Sequence, residues 1–61
     1  MIILVLSYEK RPAGGGSIVN HFDRYFYDDD VKAQVIQKKI SDFMEDHKND
    51  YSSRFVSIDR I

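Results

Sequence analysis

The 61-residue chain has no cysteine and no tryptophan, a single proline and only three glycines, all adjacent. Lacking cysteine, it has no disulfide to staple it, no thiolate to hold a metal and no thiol nucleophile, a usage that fits a reducing compartment. Long hydrophobic runs are missing too. The apolar stretch over residues 2–6 is five residues long, where a helical membrane span needs about 20. The opening residues carry neither the basic start nor the small-residue cleavage site of a secretory leader. A cytoplasmic protein with no membrane partner is expected. Charge of either sign is not in excess: nine basic against ten acidic residues leave a net charge of −1, far from the basic balance with which proteins grip phosphate backbones.

What is present is apolar material, 43% of residues, enough for one core and not for two. A single domain spanning 1–61 is expected. Chains this short bury only about 60% of the surface their unfolded form exposes. Where neither a metal nor a disulfide helps, a partner subunit commonly completes them.

Residues 2–8 are rich in branched apolar side chains and end at Glu9-Lys10-Arg11-Pro12, which predicts a strand. Ile2, Leu4, Leu6 and Tyr8 point one way, Ile3 and Val5 the other. A strand apolar on both faces belongs in the middle of a sheet. Residues 11–17, Arg-Pro-Ala-Gly-Gly-Gly-Ser, predict a flexible loop. Residues 18–27 alternate as a second strand, with Ile18, Phe22 and Phe26 opposite Val19, His21, Tyr25 and Tyr27; the interspersed Asn20, Asp23 and Arg24 suit an edge. Asp28-Asp29-Asp30 reads as a helix cap. From Val31 to about Lys48, Ala33, Ile36, Ile40, Phe43, Met44 and His47 recur at spacings of three and four, one helical stripe. Residues 54–61 predict the third strand, with Val56 and Ile58 opposite Phe55 and Ile61. A right-handed crossover then gives an α+β fold, β-β-α-β, with an antiparallel sheet in order 2-1-3 and the helix on one face.

One helix roofs one face of such a sheet, and alternation leaves the other face apolar. Apolar patches of several hundred Å² on small proteins usually mark interaction sites. Burying about 600 Å² per chain would contribute roughly 15 kcal/mol before association costs, comparable with a domain's whole stability. A homodimer is therefore expected, with Ile3, Val5, Val19, Val31 and Val35 as its candidate interface; the two valines of the helical segment lie off the core stripe. Charge is also sorted into blocks: residues 20–30 and 41–51 each carry −3, and residues 31–40 carry +3. Either this is a solvated helix with pairs such as Lys38 to Asp42, or the acidic segments meet a basic partner.

Signs of chemistry are weak. Gly14-Gly15-Gly16-Ser17 lacks the lysine of a phosphate loop. The pair His21 and Asp23, like His47 with Asp46 and Asp50, lacks the spacing of a metal site, and no serine stands in a nucleophile context. No catalytic residue, metal or other cofactor is expected. Arginine and tyrosine on a strand are, however, the composition of protein-binding hot spots. The candidate contact set for a larger protein partner is Arg24, Tyr25 and Tyr27, the triplet Asp28, Asp29 and Asp30, and the loop with Lys10, Arg11 and Gly15. Nucleic acid is the alternative partner, contacted by Arg24, Tyr25 and Tyr27 with Lys32, Lys38 and Lys39. In ground plan, this cysteine-free strand-strand-helix-strand unit is similar to several small phage-encoded proteins that bind and inhibit host enzymes or defence factors. That resemblance, of architecture and size, implies a non-enzymatic inhibitor or modulator.

Overall fold

The computed structural model describes residues 1–61. Four elements follow in sequence: β1 (Ile2–Lys10), β2 (Val19–Tyr27), α1 (Ala33–Asp46) and β3 (Ser52–Arg60). The sheet order is β2-β1-β3 and both pairings are antiparallel. The expected β-β-α-β arrangement is the one observed, with the most aliphatic strand at the centre and the strand interrupted by Asn20, Asp23 and Arg24 at an edge.

β1 and β2 pair without interruption over nine residues, from Ile2↔Tyr27 to Lys10↔Val19. On the other side the register slips. Val5 faces Ser57 but Leu6 faces Phe55, so Val56 is an extra residue without a partner, a β-bulge. The slip places both Ile58 and Phe55 opposite β1 residues of the helix-covered face, Leu4 and Leu6, where simple alternation had put them on opposite faces.

α1 covers the face made by Ile2, Leu4 and Leu6, which form the core with Ile36 and Phe43. Leu4 and Leu6 are fully excluded from solvent. Around them Tyr8, Tyr25, Tyr27, Val31, Ile40 and Met44 are half-buried and packed against the core. The spacing of Ile36, Ile40 and Phe43 brings all three to one side of the helix, as their three- and four-residue steps require. Ala33, counted on the stripe, is exposed.

The aspartate triplet does not cap the helix. Lys32 stands at the N-cap with extended backbone and no side-chain capping bond, because Val31 and Lys32 intervene between the triplet and the first helical residue. The triplet instead makes a turn, in which the Val31 N–H donates to the Asp28 carbonyl at 3.1 Å. That turn delivers Val31 to the core, although helical periodicity had set it off the stripe. The strands also begin and end differently from the sequence pattern. β1 runs on through Glu9 and Lys10, so Lys10 belongs to a strand and not to the loop. β3 starts two residues early, because the Tyr51 N–H donates to the Glu9 carbonyl and Ser52 Oγ to Glu9 Oε1, both at 2.9 Å. In the glycine loop, Gly15 and Gly16 have φ of 84° and 103°, values that favour glycine, and the Gly15 N–H closes a turn on the Pro12 carbonyl at 3.0 Å.

The result is long and thin, 43 × 21 × 13 Å, with a radius of gyration of 13.2 Å, where a compact chain of this length has about 10.5 Å. Six residues of 61 are buried. With so small a core, Leu4→Ala is expected to cost about 3 kcal/mol, a large part of the stability available to such a domain, and to shift the urea unfolding midpoint followed by circular dichroism accordingly. An unchanged midpoint would show that the fold does not rest on this layer.

Candidate functional site

Residues directly opposite in an antiparallel sheet share a face, so the register assigns every strand side chain. The face without a helix carries Ile3, Val5, Ser7 and Glu9 of β1, beside Phe26, Arg24, Phe22 and Asn20 of β2 and Asp59, Ser57, Arg54 and Ser52 of β3. Phe26 and Phe22 are 60% and 47% exposed, while Ile3 and Val5 are half-buried between the flanking strands. Ser7 is buried although it lies on this face, flanked across the sheet by Phe22 and Arg54. The apolar part of the open face is thus lopsided. It occupies the β2 and β1 side, with Arg24 between the two phenylalanines, and gives way to Asp59, Ser57 and Arg54 along β3.

The dimer candidates separate accordingly. Ile3 and Val5 lie on the open face, whereas Val19 pairs with Lys10 on the helix side, Val31 packs into the core margin and Val35 is exposed on α1. The contact set for a larger partner is likewise divided. Arg24 is on the open face, but Tyr25 and Tyr27 are on the helix side, half-buried against the core. Asp28, Asp29 and Asp30 follow the end of β2, beside the start of β1. Lys10, Arg11 and Gly15 lie at the other end of the sheet, about 25 Å away at 3.3 Å per strand residue. The phenylalanines Phe22 and Phe26 were not among the candidates. Their shared parity was legible, but which parity the helix would cover was not.

Tyr25 is held by its surroundings. The Lys39 ammonium lies 4.3 Å from its ring centre, a cation–π contact, and its hydroxyl donates to Asp23 Oδ2 at 3.5 Å. Burial raises its pKa above the ordinary 10, and the Asp23 carboxylate adds to the effect by disfavouring a second negative charge. Lys38 is engaged by Asp42 at 3.2 Å, the i,i+4 pair expected from the sequence, and Arg24 lies on the opposite face of the sheet from Tyr25 and Tyr27. Asp29 accepts from the Met1 amino group at 2.6 Å. This bond holds its carboxyl below the usual value, aided by Arg60 at 3.9 Å.

Two further arrangements occupy the loop end of the molecule. The Tyr8 ring stacks on both His21 of β2 and His47 after α1, with centroids 4.8 and 3.9 Å apart, and Phe43 closes on it edge-on at 5.9 Å. His47 Nδ1 and Asp50 Oδ2 form a hydrogen-bonded pair at 2.6 Å. Beside this stack lies the one surface cleft, about 360 Å³, lined by Lys10, Arg11, Asn49, Asp50 and Tyr51. Neither Lys10 nor Arg11 has a carboxylate partner within 4.0 Å. No three histidine, aspartate or glutamate side chains converge as a metal site would require, and no helix is long and apolar enough to cross a membrane.

No family model, curated protein or solved structure matches this chain, so its functional reading stands on geometry. The raised Tyr25 pKa makes a prediction at alkaline pH. A phenol that ionises less readily in the folded than in the unfolded chain contributes stability that is complete below pH 10 and is lost as pH rises through the folded value. Tyr25→Phe is therefore expected to lose less thermal stability than the wild type between about pH 9 and pH 11. Parallel losses in melting curves across that range would refute the assignment.

Proposed function

We propose that the chain is a non-enzymatic protein-binding module which pairs with a second copy of itself and modulates a larger protein as an inhibitor, docking through the open sheet face. The observation that carries this reading is the exposure of Phe22 and Phe26 beside Ile3 and Val5, in a molecule that keeps only five apolar residues in its core. Its accessible surface is 4529 Å², against about 4100 Å² for a compact monomer of this mass. The excess and the elongated shape both fit a fold that keeps surface in reserve for another chain. Aromatic residues flanking an arginine are the side chains on which binding energy concentrates. The complementary partner surface is an apolar pocket with a carboxylate placed to meet Arg24.

The test is affinity capture with immobilised wild type, Phe26→Asp and, as a control on the outer side of the helix, Gln37→Asp. A partner retained by wild type and by Gln37→Asp is expected to fall at least about tenfold with Phe26→Asp, as for loss of a hot spot, with circular dichroism unchanged. Equal retention by all three forms would place the docking site elsewhere. Fluorescence anisotropy with DNA and RNA oligomers is expected to show no binding even at low salt. A steep salt-dependent affinity would replace this reading with nucleic-acid binding.

A further inference from the structure

β2 borders the sheet over its nine residues, and no strand pairs with its outer side. It contains no proline, and its register with β1 has no bulge, so it lacks two of the devices by which edge strands are blunted. The other border, β3, is kinked by Val56. We infer that the second copy docks along β2, antiparallel to its own counterpart, with Phe22 opposite Phe22 of the copy, so that two three-stranded sheets become one of six strands. This rests on the reading above that the chain self-associates, and it names the element and register that do so.

Symmetry narrows the registers. When a strand pairs with its own copy about a two-fold axis, opposite residues lie on the same side of the sheet. One residue must then stand opposite itself, and the pivot determines every other pair. A pivot at Asp23 opposes two carboxylates, and one at Arg24 opposes two guanidinium groups. A pivot at His21 sets Asp23 against Val19 and Phe22 against Asn20, and a pivot at Tyr25 sets Phe22 against Asp28. With Phe22 as pivot there is no clash of charge or polarity. His21 faces Asp23 of the copy on the helix side, Val19 faces Tyr25, Asn20 faces Arg24, and Ile18 faces Phe26 on the open side. Val19 and Phe22, both exposed in the single chain, are covered by aromatic neighbours. Both helices lie on one side of the joined sheet, and the two open faces merge into a continuous surface on the other.

The native chain contains no cysteine, so any disulfide reports on introduced thiols alone. Under mild oxidation Phe22→Cys is expected to form a disulfide dimer as its main product. Asn20→Cys alone and Arg24→Cys alone are expected to form none, because in this register each lies about 13 Å from its own copy, beyond disulfide reach. A mixture of those two variants is expected to give the mixed disulfide. His21→Asp, which sets two pairs of like charges across the seam, is expected to weaken the dimer roughly tenfold in sedimentation equilibrium. If wild type sediments as a monomer at about 100 µM, edge pairing and self-association both fall. If it sediments as a dimer but links best through Val5→Cys, or through thiols at another pivot, the β2 seam is overturned while self-association stands.

Discussion

The whole molecule depends on a dry contact between one strand and one helix. Leu4 and Leu6 of the central strand are sealed by Ile36 and Phe43, about two helical turns apart, with Ile2 completing the layer and Tyr8, Tyr25, Tyr27, Val31, Ile40 and Met44 at its margin. The crossover that carries the chain from β2 to β3 exists to lay α1 over these leucines. Because strand side chains alternate, the same strand that supplies them must send Ile3 and Val5 to the opposite side. A core on one face and an unroofed apolar strip on the other are therefore two results of one sequence pattern.

The strip is not uniform. Its apolar half follows β2 and β1, its charged half follows β3. On the covered side, Tyr25 is fixed by Lys39 and Asp23, so the aromatic residues of β2 divide their labour. Tyr25 and Tyr27 finish the core, and Phe22 and Phe26 stay outside. A thin body of 13 Å brings both faces close to every residue, which is why so few positions serve the interior alone.

Much of the fold was legible because its strongest signals are periodic. A short branched apolar run gave β1, alternation gave β2, three- and four-residue steps gave α1, and the greasiness of β1 placed it at the centre. What could not be read depended on contacts between distant segments. The aspartate triplet looked like a cap because aspartates before a helix usually are, but the turn that buries Val31 displaced them by two residues. Val56 looked like an ordinary member of an alternating strand, since a bulge is decided by how two strands meet and not by either one. The same holds for the candidate surface: residues grouped by composition, such as Arg24 with Tyr25, were neighbours in sequence and opposed in space. The stack of Tyr8 on two histidines joins three elements, and only the four-residue step from Phe43 to His47 hinted at it.

The irregularity at Val56 makes the sheet's two borders unequal. A flat ribbon with two equivalent free margins would accept further strands on either side and lengthen without limit, the geometry of a fibre. In the pairing proposed above, the bulged margin would work as a stop, so that growth from the straight side would end after a single addition and favour a closed particle over a filament.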